Sequence, residues 1–70
     1  MENGNRERRK RAAQIVQSFT TEGYYLVTQS NACQECILRH KSNGNKMVVR
    51  VGKLGVYVYK NGRLLKLEIV

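Results

Sequence analysis

Three glycine turns divide residues 36–66, which read CILRHKSNGNKMVVRVGKLGVYVYKNGRLLK. The turns are Asn43-Gly44, Gly52-Lys53 and Asn61-Gly62. Each suits a two-residue hairpin, because tight hairpins need a positive φ at one or both central positions. The stretch therefore predicts consecutive antiparallel strands, with a pairing register that each turn fixes.

That register predicts which side chains share a face of the sheet. Pairing outward from the turns places Leu38 opposite Val49, Val49 opposite Val56, and Val58 opposite Leu65. A slip of one residue would move the apolar side chains of a strand to the other face. All three hairpins agree on one apolar, core-facing set: Cys36, Leu38, Met47, Val49, Val51, Leu54, Val56, Val58, Leu65, Leu67 and Ile69. The opposite set is Ile37, Arg39, Lys41, Lys46, Val48, Arg50, Tyr57, Tyr59, Leu64 and Lys66.

An amphipathic helix is predicted before the strands. Its apolar stripe has the spacing i, i+3, i+4, i+7 and consists of Ala12, Ile15, Val16 and Phe19. Asn5 suits an N-cap, and Gly23 suits the residue that follows a helix end. Tyr24 is then expected to fold back on Phe19. Repulsion among the cations of Arg6–Arg11 is expected to loosen the first turns.

The chain has 70 residues, a length that predicts a single domain over 1–70. The expected fold class is α+β, with one N-terminal amphipathic helix packed on one face of a four- to five-stranded antiparallel meander sheet. Residues 1–5 are expected to be disordered, the helix to span about 6–22, and the strands about 24–28, 35–41, 46–51, 54–60 and 63–69. The polar loop after strand 24–28 admits more than one pairing register for that strand.

The charge balance indicates a polyanionic partner. The net charge is +8, and residues 36–66 carry eight Lys or Arg and no Asp or Glu. Lys and Arg neutralise phosphates, while exposed tyrosine rings can stack on unpaired bases. We therefore predict a nucleic-acid-binding sheet face with phosphate contacts from Arg39, Lys41, Lys46, Arg50 and Lys66, and with stacking by Tyr57 and Tyr59.

A second basic segment lies near the N-terminus. Such runs follow phosphate backbones, and they also serve as targeting patches or solubilising tails. The run alone favours neither interpretation, but together with the basic sheet face it favours nucleic acid. As candidate nucleic-acid contacts we take Arg6, Arg8, Arg9, Lys10 and Arg11.

Ile37, Val48 and Leu64 leave a different function open. A face that only meets solvent should not carry so much apolar area. The alternative is a protein–protein interaction module, either a homodimer or a small inhibitor or adaptor that docks on an acidic protein or nucleoprotein surface. The sequence also leaves DNA or RNA, and single or double strands, undecided.

Catalysis and metal binding are not expected. Catalysis needs convergent acid, base or nucleophilic groups, and the five carboxylates (Glu2, Glu7, Glu22, Glu35 and Glu68) lie apart in the sequence. Cys33, Cys36 and His40 have a spacing reminiscent of a metal site, but a structural zinc needs four ligands. Glu35 or a second copy would have to complete the set. We therefore predict no enzyme, no cofactor and no metal, with Cys36 as a core residue.

The same composition gives an expected location. Two cysteines are too few for a disulfide framework, which favours a reducing, cytoplasmic compartment. No apolar run approaches the ~20 residues that cross a bilayer, so no membrane partner is expected.

Overall fold

The computed structural model describes residues 2–30 and 34–70, the side chains of residues 2 and 3 excepted. One helix precedes five strands: α1 Glu2–Thr21, β1 Tyr24–Gln29, β2 Glu35–His40, β3 Lys46–Val51, β4 Gly55–Lys60 and β5 Arg63–Ile69. The strands form one sheet in the order β1-β2-β3-β4-β5, and every neighbouring pair is antiparallel. The predicted α+β fold and meander sheet are confirmed.

The helix packs on one face of the sheet and makes the core there. Ala12 and Ile15 are buried against strand residues Cys36, Leu38, Met47, Val49, Val51, Val56 and Val58. Val16, Phe19 and Tyr24 pack around this cluster, as the apolar stripe predicts. The helix ends at Thr21, and Gly23 follows with a φ of 98°. The predicted contact of Tyr24 with Phe19 is present, with ring centroids 5.4 Å apart.

The N-terminal end of α1 differs from the sequence prediction. The helix begins at Glu2 and not near residue 6, so Asn5 lies inside it and is not an N-cap. Arg, Lys and Glu are good helix formers. Their intrinsic preference accounts for helix within Arg6–Arg11 despite the expected repulsion, but not for the turn before it, because Asn and Gly are poor helix formers. Residues 2–5, which the sequence predicts to be disordered, are helical, and Met1 lies outside the described residues.

Two hairpins pair two residues away from the predicted register. Cys36 lies opposite Val49, and Val49 lies opposite Val58. The Gly52 N–H donates to the Gly55 carbonyl oxygen at 2.9 Å, so the second turn is centred on Lys53 and Leu54, one residue later than predicted. An even shift leaves each side chain on its predicted face, because side chains alternate with a period of two. Leu54, predicted in the core, instead lies at the turn tip and is 59% exposed.

The third hairpin contains a β-bulge that its turn residues do not predict. Asn61 and Gly62 form the expected turn, with φ values of 51° and 87°. Tyr59 then pairs with Leu64 and Val58 pairs with Lys66, which leaves Leu65 as an extra residue. An extra residue moves every later side chain of that strand to the opposite face of the sheet. The predicted core positions Leu65, Leu67 and Ile69 are therefore wrong, and Lys66 lies on the helix side of the sheet instead of the opposite side.

The reversed facing of β5 brings Glu68 to the helix. Arg11 Nε donates to Glu68 Oε1, and Arg11 Nη2 donates to Glu68 Oε2 at 3.1 Å. Lys66 Nζ lies 3.6 Å from Glu68 Oε2. The hydrogen bond from Arg11 lowers the pKa of the Glu68 carboxyl, helped by the charges of Arg11 and Lys66 and opposed by partial burial. The same hydrogen bond raises the pKa of Arg11.

Replacing Glu68 by glutamine should lower the stability of the fold in a pH-dependent way. A carboxyl whose pKa is lowered by folding stabilises the protein above its unfolded pKa of about 4.3, and that contribution is lost as the pH falls through the folded value. Urea unfolding should therefore show a lower free energy of unfolding for Glu68→Gln than for the parent protein at pH 7, and a smaller difference at pH 3. A stability difference of equal size at both pH values would contradict this origin.

Candidate nucleic-acid interface

The sheet face opposite α1 presents basic, aromatic and aliphatic side chains together. No helix in the described part of the chain covers it. We call it the open face and define it by Ile37, Arg39, Lys46, Val48, Arg50, Tyr57, Tyr59, Leu64, Leu67 and Ile69. Cross-strand pairing orders these side chains in rows, because directly opposed residues stand on the same side of a sheet.

The rows follow from the register. The first joins Arg39 to Lys46, with Tyr25 of β1 beside them. The second runs through Ile37, Val48, Tyr59 and Leu64. The third runs through Glu35, Arg50, Tyr57 and Leu67. Of the two strand carboxylates, Glu35 stands on the open face and Glu68 does not. The balance of formal charge on the open face is thus positive.

The cations and the Tyr57–Tyr59 pair occupy different halves of the open face, whereas Tyr25 on β1 stands beside Arg39. The cations Arg39, Lys46 and Arg50 stand on β2 and β3, which we call the cationic half. Tyr57 and Tyr59 stand on β4, and the register places Leu64, Leu67 and Ile69 beside them on β5. We call β4 and β5 the aromatic half. Pairing puts the cations of residues 55–69, namely Lys60, Arg63 and Lys66, on the helix side.

The two tyrosines of the aromatic half stand side by side. Their ring planes are 12° from parallel and their centroids are 6.5 Å apart. The Tyr57 ring lies directly over Gly52, where an added Cβ would overlap Tyr57 Cε1 and come within 3.1 Å of Cδ1. The missing side chain at Gly52 therefore gives Tyr57 its position.

A cavity of about 350 Å³ opens beside this ring pair. Its lining consists of Arg50, Val51, Gly52, Lys53, Tyr57 and Tyr59. Aromatic walls next to two cations can take a flat ring together with a negatively charged group. Lys53 and Gly52 were not among the predicted site residues, although both belong to a turn that the sequence identified.

The structure brings together most of the predicted sheet contacts. Arg39, Lys46, Arg50, Tyr57 and Tyr59 share the open face. Lys41 lies in the turn after β2, where its N–H donates to the Gly23 carbonyl oxygen at 3.0 Å. Lys66 stands on the opposite face, so the prediction that it belongs to the basic surface is wrong.

The basic N-terminal segment is not part of the open face. Arg6, Arg8, Arg9, Lys10 and Arg11 all belong to α1, which packs on the other side of the sheet. Arg11 is engaged with Glu68. The Nε atom of Arg8 is buried and has no hydrogen-bond partner among the described residues. Any contact that these cations make with a ligand is therefore separate from the open face.

His40 has a structural position. Its Nδ1 accepts from the N–H groups of Ser42 (3.1 Å) and Asn43 (3.4 Å), and its Nε2 lies 3.1 Å from the Glu22 carbonyl oxygen. This arrangement matches a neutral ring protonated on Nε2, which ties the helix end to the β2–β3 turn. Cys36 is 3% exposed and faces the helix, as predicted. Cys33 lies outside the described residues, within which no three metal-binding side chains cluster.

Comparisons with protein-family models, with curated proteins and with solved structures find no match for this chain. Within residues 2–30 and 34–70, no helix has both the length and the apolar character to cross a membrane.

Proposed function

We propose that this chain is a small, non-catalytic nucleic-acid-binding protein that contacts its ligand through the open face. The observation that carries the proposal is the convergence of Arg39, Lys46 and Arg50 with the Tyr57–Tyr59 pair on a face that α1 leaves uncovered. Cations supply affinity for phosphates, and tyrosine rings supply surfaces for bases or sugars. The net charge of +8 favours encounter with the same partner.

Few direct contacts to bases are expected. Arg and Lys reach phosphates without regard to sequence, and sequence is read by side chains that meet base edges. The open face has no asparagine or glutamine among its defining residues. Binding should therefore be nearly independent of base sequence, with affinity that falls as salt rises.

The test is a fluorescence anisotropy titration of a labelled oligonucleotide at several salt concentrations. Three to four cations (the three of the open face, with Lys53 at its cavity) imply a slope of log K against log salt of about −3 to −4 on duplex and about −2 to −3 on a single strand. This is shallower than five phosphate contacts would give, because Lys66 is on the other face and Lys41 lies in the turn after β2. A flat salt response, or no binding to either ligand, would eliminate the proposal.

A protein–protein interaction module is the second candidate, and the β5 bulge is the observation that favours it. The bulge turns Leu67 and Ile69 onto the open face, where Ile69 is 69% exposed. Covering this face with a second copy would, however, remove Arg39, Lys46 and Arg50 from water with only Glu35 of each copy as an opposite charge, which is costly. Light scattering separates the two candidate functions. A dimer that persists at high salt and does not bind oligonucleotides would favour the protein–protein interaction module.

The cytoplasmic location expected from the cysteine content stays a prediction.

A further inference from the structure

The division of the open face into two halves bears on which kind of nucleic acid it fits. We propose that the ligand is a single strand, DNA or RNA, with its sugar–phosphate backbone over the cationic half and its bases over the aromatic half. This inference rests on the proposed function and specifies the ligand of the same site. It goes beyond a count of charges, because it depends on where the cations and rings lie relative to each other.

A single strand has the same two-sided chemistry as the open face. Its phosphates run along one edge, while its bases extend to the other and are free to unstack. A duplex instead presents phosphates on both edges and keeps its base faces stacked inside. On the protein, Arg39, Lys46 and Arg50 are confined to β2 and β3, and β4 and β5 present rings and aliphatic side chains. A duplex would lay one phosphate edge on Leu64, Leu67 and Ile69, where no charge meets it.

The spacing along the strands supports the same ligand. Lys46 and Arg50 are four residues apart on β3, a separation of about 13 Å at ~3.3 Å per residue. That distance spans about four stacked nucleotides at ~3.4 Å each. The Tyr57 and Tyr59 centroids, 6.5 Å apart in nearly parallel rings, are separated by about two such steps. Bases two stacking steps apart on one strand can therefore meet the two rings.

The cavity at Tyr57 gives one base a defined place. It lies where the halves meet, and its lining includes Arg50 and Lys53 together with the two rings. A base that stacks on Tyr57 brings its own phosphate toward these two cations. Gly52 keeps the ring in place from below. The β5 bulge completes the surface, because it replaces Lys66 by Leu67 next to Tyr57.

The inference can be tested with one ligand in two forms. A labelled single-stranded oligonucleotide and a hairpin duplex of matched composition are titrated against the parent protein, Tyr57→Ala and Tyr57→Phe, with DNA and RNA versions of each. We expect the single strand to bind at least about tenfold more tightly than the duplex. Loss of one stacked base should weaken single-strand binding about 5- to 150-fold in Tyr57→Ala. Duplex binding should stay within about twofold, and Tyr57→Phe should retain single-strand affinity because it keeps the ring face.

The controls separate this inference from the proposed function. The chain has four tyrosines and no tryptophan, so quenching of tyrosine emission reports stacking directly. If circular dichroism shows that Tyr57→Ala is unfolded, Tyr57→Leu takes its place. It removes the aromatic face at similar bulk and should give the same selective loss of single-strand affinity. Equal affinity of the parent protein for the single strand and the duplex would overturn the single-strand inference alone. An equal loss of affinity for both ligands in Tyr57→Ala would do the same. Absence of salt-dependent binding to either form would overturn the proposed function as well.

Discussion

Replacing Arg39, Lys46 and Arg50 together by glutamine is expected to lower affinity for a single-stranded oligonucleotide about 100-fold at about 0.1 M salt. Each phosphate that a cation neutralises on a single strand contributes about 0.7 to the slope of log K against log salt. Three such contacts give a slope of about −2, so the counterion contribution at about 0.1 M relative to 1 M salt is about two decades. The variant should therefore show both weaker binding and a slope reduced by about two.

A matched variant on the other face controls for net charge. Lys60, Arg63 and Lys66 lie on the helix side of β4 and β5. Changing these three to glutamine removes the same formal charge and leaves the open face intact. Affinity should stay within about threefold, because exposed charges farther apart than the ~8–10 Å Debye length are screened. Equal losses in the two triple variants would mean that net charge, and not the open face, determines binding.

Substitution of Gly55 by alanine is expected to give the largest loss of stability among the glycines of the sheet. An added Cβ would overlap the Glu68 carbonyl oxygen and lie 2.8 Å from the carbonyl carbon of the same residue. The obstacle is backbone of the neighbouring strand, which cannot move aside as a side chain can. Overpacking of this kind costs about 3 kcal/mol. A domain of this size has a small free energy of unfolding, so Gly55→Ala should be largely unfolded or should pair β5 with β4 in a different register.

Gly44 supplies the comparison for that measurement. It has a φ of 74°, and an added Cβ there would meet nothing within 4 Å. Gly44→Ala therefore carries only the cost of the left-handed backbone, about 1 kcal/mol. Urea or thermal unfolding of the two variants separates steric overlap from backbone strain. A Gly55→Ala protein as stable as Gly44→Ala would show that β5 does not approach β4 as closely as described.

The facing of strands β2, β3 and β4 could be predicted from the sequence because the register errors between them were even-numbered. Hairpin turns marked by glycine gave the right strands, and two registers that were wrong by two residues left every side chain on the correct face. The helix was predictable from Ala12, Ile15, Val16 and Phe19 for a similar reason. A stripe at helical spacing is insensitive to where the helix begins.

The bulge in β5 could not be read from alternation alone. Leu64 and Leu65 are adjacent leucines, so either can be assigned to the core without breaking the apolar pattern. What decides between them is long-range: Arg11 at the margin of the helix stripe pairs with Glu68, which requires Glu68 to face the helix. A signal was present in the two charges, because a helix-borne arginine beside the core favours a strand carboxylate as its partner.

The same bulge explains which parts of the site were missed. Tyr57, Tyr59, Arg39, Lys46 and Arg50 lie before it, on strands whose facing was correct. Leu67 and Ile69 lie after it and came to the open face, while Lys66 left it. Lys53 was missed for another reason. It sits at a turn, and its position beside the Tyr57 cavity depends on how the four residues from Gly52 to Gly55 close.

The most direct measurement is a map of backbone amide shifts while a short single-stranded oligonucleotide is added to the protein. We expect the largest shifts on β3 and β4 at Lys46, Arg50, Tyr57 and Tyr59, with smaller ones at Leu67, and with Ala13 and Gln17 on the outer side of α1 unmoved. Shifts confined to α1, or spread evenly over both faces of the sheet, would contradict binding through the open face.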